Sequence, residues 1–143
     1  MSLSVKSPAV RQKRIACDEA VLAGRAELLD RADRDLLLAV WVHRGSAELM
    51  AHLAGRHPET IRRRVRRLLE RIQSPSFLSA ARALSLLPAR QAEIARLHFC
   101  QKRSLRQIAR HCALSLHEVR RQVHEIRGAL AGIDAFRREA KAG

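Results

Sequence analysis

The chain lacks the compact signatures of catalysis. No glycine-rich phosphate loop, no HExxH and no nucleophile elbow occurs in its 143 residues, so nothing in it holds a phosphate, a metal or a nucleophile in a known arrangement. Asp, Glu and His are scattered over expected helix caps and exposed faces, and an enzyme is not expected. The longest apolar run, "LLLAVWV" (36–42), is far short of the roughly 20 residues that cross a bilayer as a helix. No apolar segment with a small-residue cleavage site follows the N-terminus, so no secretory signal is expected. Cys17, Cys100 and Cys112 are odd in number and show no CxxC spacing, which fits a reducing cytoplasm better than a disulfide framework. Tyrosine is absent, aromatics make up 3%, and few segments have the β-branched look of strands.

What is present points to helices and to an anionic partner. The chain is 47% hydrophobic, enough for a core, and Ala, Leu and Arg, all strong helix formers, dominate. The fold class expected is all-α. The net charge is +14, from 28 Lys plus Arg against 14 Asp plus Glu. Such a balance favours DNA, RNA or an anionic membrane surface. The excess of 24 Arg over 4 Lys also has a bland source in a GC-rich genome, so charge alone leans only modestly toward nucleic acid.

A shift of 58 residues lays 28–72 over 86–130 without a gap. Leu28 meets Leu86, Ser46 meets Ser104, Ala51 meets Ala109, and Arg62-Arg63 meets Arg120-Arg121. Near-matches such as Met50 with Ile108 and Ile61 with Val119 fall mostly where burial is expected, and indicate a duplication. Each copy reads as three helices. In the second, Pro88 opens a helix carrying Ile94, Leu97 and Phe99. Ser104 caps a short helix with Gln107 in a capping box, and Ser115 caps the third with Glu118 at the reciprocal position. The third helix buries Val119, Val123, Ile126 and Leu130, one helical face. In the first copy Asp33 or a neighbour opens the first helix, Ser46 caps the second, Gly55 ends it, and Pro58 starts a third that buries Ile61, Val65, Leu68 and Ile72.

Three divisions follow: an N-terminal helix or arm over 1–27, a first module over 28–74 and a second over 75–143. The arm begins at Ser7-Pro8 and aligns Val10, Cys17, Val21, Gly24 and Leu28 on one side. That stripe packs as core or as a homodimer contact. "QSPSFLSAARALS" (73–85) is a proline-marked connection into a further short helix. The tail after Ile133 is short, basic and expected to fray.

A short helix, a three-residue turn and a second amphipathic helix form the helix-turn-helix arrangement. Ala51 and Ala109 let the helices cross closely, while Met50 with Ile61, and Ile108 with Val119, plug the joint. The turn favours a residue tolerant of a left-handed backbone. Gly55 suits it; Ala113 costs about 1 kcal/mol if it adopts that conformation. On these residues the second copy, "LLPARQAEIARLHFCQKRSLRQIARHCALSLHEVRRQVHEI", resembles region 4 of the bacterial sigma-70 family, especially its extracytoplasmic-function type. The Leu-Pro opening, the Ser-Leu-x-x-Ile-Ala stretch and the Ser-x-x-x-Val start of the third helix carry the likeness. The first copy resembles it more weakly, through "RGSAELMAHLAGRHPETIRRRVRRLLERI". Cys112-Ala113 stands where the family has a Leu-Gly-like pair, and Arg56 stands at a joint position that is normally apolar. With 27 residues before the first repeat, a promoter-melting region 2 is not expected. The chain thus resembles a tandem of region-4-like modules rather than a working sigma factor.

The resemblance implies that the third helices read double-stranded DNA in the major groove, from stretches opened by Pro58 and Leu116. The candidate contacts are Glu59, Thr60, Arg62, Arg63 and Arg66 in the first copy. In the second they are Ser115, His117, Glu118, Arg120, Arg121 and His124. Arginine bonds guanine in two places and glutamate accepts from cytosine; Arg64, Arg67 and Arg71 suit phosphates or carboxylates. The bland alternative for the arginine run is a solvated face with intrahelical pairs such as Arg66 or Arg67 with Glu70. His98, Cys100, His111 and Cys112 match no compact zinc module, so no metal and no cofactor is expected. The reading is a cytoplasmic transcription regulator that binds DNA, with RNA polymerase as a further partner and no membrane. Its rival is an interaction module for RNA polymerase or an anti-sigma-like protein. A third option, the DNA-binding part of a recombinase or transposase, needs a catalytic domain for which the sequence shows no motif.

Overall fold

Most helix starts among the described residues are set by side chains that stand in for the missing backbone partners of a first turn, the helix opened by Pro88 being an exception. The structure is a computed structural model and describes residues 19–43 and 45–143. The described residues are all-α, with no strand among them. After a helical stretch at 19–26 come α1 (Arg31–Leu37), α2 (Ala47–Ala54), α3 (Pro58–Gln73) and α4 (Pro75–Ala83). Then follow α5 (Ala89–Ala95), α6 (Leu105–Cys112) and α7 (Leu116–Ala142). α1 and α5 each continue into a five-residue π-helical turn, Leu38–Val42 and Arg96–Cys100. The chain divides into two compact units, Met1–Leu68 and Leu69–Gly143, the division falling inside α3.

The 58-residue shift carries over to the element bounds. It lays α1 on α5, the first π turn on the second, α2 on α6, and the start of α3 on the start of α7. Backbone hydrogen bonds repeat with it. His43 N–H donates to the Leu38 carbonyl at 2.9 Å and Gln101 N–H to that of Arg96 at 3.0 Å, the five-residue spacing of a π turn. Arg56 N–H donates to Ala51 at 2.8 Å and Leu114 N–H to Ala109 at 2.9 Å, closing α2 and α6 as Schellman endings do. The residues in the bend are left-handed in both: Gly55 at φ 61° and Ala113 at φ 54°.

The caps follow the sequence, with one correction. Ser46 Oγ accepts from Leu49 N–H at 3.2 Å. Ser104 and Gln107 form both halves of a capping box, at 3.2 and 2.9 Å. Ser115 Oγ accepts from Glu118 N–H at 3.1 Å, but the return bond is missing, because Arg121 and Gln122 hold the Glu118 carboxylate. α1 is opened by Asp30, whose Oδ1 accepts from Asp33 N–H at 3.0 Å. Asp33 itself is buried, and its carboxylate accepts two hydrogen bonds from Arg64.

In the first unit the buried apolar residues are Leu22, Ala26, Leu29, Leu37, Ala51, Ile61, Val65 and Leu68. The inner face of 19–26 is therefore set by Leu22, Ala26 and Leu29, spaced 4 and 3 like any helical face. Val21 and Gly24, expected on that face, are exposed, and Leu28 is half-buried. The expected start at Ser7-Pro8, and Val10 and Cys17, lie outside the described residues.

In the second unit α4, α5 and α6 pack on α7. Val119, Val123, Ile126 and Leu130 of α7 are buried, together with Ile72, Phe77, Ile94, Leu97, Phe99 and Ile108. The tail does not leave the helix at Ile133: residues 134–142 continue α7. Ala, Arg, Glu and Lys there favour helix, and the Ser79 hydroxyl donates to Asp134 Oδ2 at 2.5 Å, tying the extension to α4.

Candidate nucleic-acid interface

The geometry of each candidate face begins with the joint between the short helix and the long one. In the second unit Ile94, Ile108 and Val119 are fully buried, and Leu114 closes the bend half-buried. In the first unit the positions of Ile94, Ile108 and Leu114 are taken by Leu36, Met50 and Arg56. An arginine cannot plug an apolar gap without burying charge, and a cleft of about 410 Å³ remains there, lined in part by Leu36, Met50, Arg56 and Ile61. The joint is thus closed in one unit and open in the other.

On α3, Thr60, Arg62, Arg63 and Arg66 are exposed and Glu59 is half-buried. Pro58 opens the helix, and Glu59 N–H donates to His57 Nδ1 at 3.2 Å. Arg62 is bound to Glu48 of α2 and lies 3.6 Å from Glu59; Arg63 lies 3.6 Å from the same carboxylate. The Glu48 carboxyl is held below its ordinary value first by the Ser46 hydroxyl, then by its own backbone N–H and by the Arg62 charge. Arg64 reaches Asp33 on α1, its Nε at 3.0 Å and its Nη2 at 2.5 Å. That pair meets the expectation of a carboxylate partner for Arg64 and ties α3 to α1. Arg66 and Arg67 form no ion pair with any described residue, so the intrahelical link to Glu70 that the bland alternative named is not made.

On α7, Ser115, His117, Arg120, Arg121 and His124 are exposed and Glu118 is half-buried. Ser115 is the cap, which commits its hydroxyl to Glu118 N–H. Arg121 grips Glu118 through two nitrogens, at 2.5 and 3.1 Å, and Glu125 through a third at 2.7 Å. Gln122 donates to Glu118 at 3.0 Å, and Gln91 of α5 donates to Glu125 and to Gln122, each at 3.3 Å. The bonds from Arg121 and then Gln122 hold the Glu118 carboxyl down to about 2. Arg120 makes no ion pair with a described residue. Of the eleven candidate contacts on α3 and α7, nine are exposed and Glu59 and Glu118 are half-buried. Sequence spacing missed the clamp on Arg121, although Glu118 and Glu125 stand three and four residues away on its own face.

The His and Cys residues considered for metal lie apart in role. His98 stacks edge-on to Phe99, with ring centroids 4.8 Å apart, and burial followed by the nearby Arg127 charge lowers its pKa. Cys100 is buried, which pushes its thiol up to about 11. His111 lies 3.3 Å from Glu93. Among the described residues no three of His, Cys, Asp and Glu converge as a metal would need. No described helix is long and apolar enough to cross a membrane. No protein-family model, curated protein or solved structure matches the chain.

Proposed function

We propose that the chain is a sequence-specific DNA-binding protein, a bacterial transcription regulator built from two helix-turn-helix modules similar to sigma region 4. One observation carries this reading. A short helix, a left-handed bend and a long helix occur twice at one shift, each time with the opening turns of the long helix exposed and rich in arginine. Such an opening turn is what enters a major groove. Arg62, Arg63 and Arg66 on α3, and Arg120 and Arg121 on α7, supply guanine and phosphate contacts. Thr60, His117 and His124 add polar contacts, while Ser115 acts through the cap. Glu59 and Glu118 hold neighbouring arginines in place until DNA arrives, and can then turn to cytosine. Exposed ion pairs are weak and screened by salt, so phosphate competes for Arg62 and Arg121 on favourable terms. In this reading the protein works in the cytoplasm, catalyses nothing and uses no cofactor.

Duplex selection from random sequence, followed by fluorescence anisotropy at two salt concentrations, tests the proposal. Tight binding at low salt that weakens steeply as salt rises is expected, because arginines displace counterions. Absence of binding at low salt overturns it.

A second reading is favoured by a specific feature of α2. Leu49 and Leu53 are 55% and 71% exposed, where the shift places Gln107 and His111 on α6. An interaction module that docks RNA polymerase or an anti-sigma-like protein through this apolar edge accounts for them, and a homodimer through the N-terminal helix belongs to the same reading. Leu49→Ser with Leu53→Ser separates the two: loss of a protein partner with DNA affinity intact favours docking.

A further inference from the structure

The second unit carries a concentration of unpaired positive charge far from its reading face. A cleft of about 430 Å³ lies between α4 and the C-terminal third of α7. Arg82 of α4 and Arg137, Arg138 and Lys141 of α7 line it. All four are exposed, and none pairs with a carboxylate among the described residues. Helical spacing alone predicts otherwise, since Asp134 precedes Arg137 by three residues and Arg138 by four, the arrangement that favours an ion pair. Asp134 also lines the cleft, but its carboxylate is engaged by α4. One oxygen accepts from the Ser79 hydroxyl at 2.5 Å, and the other is buried with no hydrogen-bond partner. The arginines beside it are left to solvent, or to an anion from outside.

We propose that this cleft binds a small phosphorylated molecule of nucleotide size. Its volume falls in the range of small-ligand sites. Two planar guanidinium forks, a third from the opposite wall and an ammonium suit the several oxygens of a diphosphate. Leu78 and Ala131 add apolar wall for the organic body. The cleft stands apart from the DNA reading: eighteen residues separate Arg120 from Arg138 on one helix, about 27 Å along its axis.

Isothermal titration of the full chain with inorganic pyrophosphate and with ATP tests this. Saturable one-site binding is expected for both, weakened about tenfold or more by Arg137→Ala with Arg138→Ala. Arg82→Ala, on the other wall, weakens it as well, and circular dichroism checks that helix content is kept. Arg106→Ala with Arg110→Ala removes the same charge elsewhere and leaves binding unchanged. Equal loss in that control marks diffuse charge attraction and overturns the proposal, as does absence of saturable binding. If neither probe binds while Arg137→Ala with Arg138→Ala weakens duplex DNA, the cations serve the DNA backbone and the small-ligand site is refuted.

Discussion

Ala113 occupies in the second unit the left-handed backbone position that Gly55 occupies in the first, at φ 54° against 61°. Both close a short helix with the same backbone bonds, but only glycine does so without strain from a Cβ. Ala113→Gly should stabilise the second unit by about 1 kcal/mol, and Gly55→Ala should cost the first unit about as much. No atom lies within 4 Å of a Cβ built on Gly55, so that cost is conformational rather than steric. Thermal unfolding of the two single variants against the parent checks both signs.

The closed and open joints should respond differently to truncation. Ile108→Ala removes a fully buried side chain and should cost about 2–5 kcal/mol. Met50→Ala, at a half-exposed position beside the cleft, should cost about 1 kcal/mol, since less apolar surface is uncovered. Arg56→Leu should stabilise the first unit by filling the gap. Urea unfolding, with hydrogen exchange to place the change in the right helices, provides the measurement.

If the arginines of α7 meet DNA, the clamp on Arg121 acts as a brake. Glu118→Gln removes one carboxylate from the face and loosens Arg121, so affinity for non-specific duplex should rise and its salt dependence should steepen by about one counterion. Arg120→Ala should weaken binding more than Arg121→Ala, because Arg120 has no carboxylate to leave. An affinity unchanged in all three variants would remove α7 from the interface.

His98 makes the second unit sensitive to mild acid. Burial and Arg127 depress its folded-state pKa below the ordinary 6.5. The unfolded chain therefore takes up a proton near pH 6.5 while the folded one resists, and stability should fall as pH drops below that value. In His98→Gln the loss of Tm between pH 7.5 and 5.5 should be smaller than in the parent.

Cys100 gives the opposite edge of the pH range. Its thiol is raised to about 11 in the fold against an ordinary 9.0, so the unfolded chain loses a proton first and stability should decline from pH 9 to 11. In the native protein at pH 8, site-resolved mass spectrometry after iodoacetamide should find Cys112 modified before Cys100. Both thiols are raised, but Cys112 is only half-buried while Cys100 is enclosed.

What could be read from the sequence was whatever depends on near neighbours in the chain. Ile61, Val65 and Leu68, and Val119, Val123, Ile126 and Leu130, are buried as their spacing implies, because one helical face is a local property. Ser46, Ser104 and Ser115 cap as expected for the same reason. Competition between partners was not legible. Of Asp33 and its neighbours, Asp30 caps α1, while Asp33 serves Arg64, 31 residues away. Glu118 looked like the second half of a capping box but is taken by Arg121. The bond that ties the helical tail to α4 joins Ser79 to Asp134 across 55 residues, which no local pattern announces. For the candidate DNA face, exposure was readable at nine of the eleven contacts, but which arginines are already engaged was not.

The two π turns bear on history. A π turn holds one residue more than the α-helical path it interrupts. Here that surplus sits at Leu38–Val42 and again at Arg96–Cys100, in register under the same shift. Two separate insertions landing on one position are less economical than a single older one. The simplest ancestor is a lone unit that had already gained the extra residue and was copied with it. On the duplication reading, the arginine at the first joint, the alanine in the second bend and the leucines on α2 mark where the two copies differ.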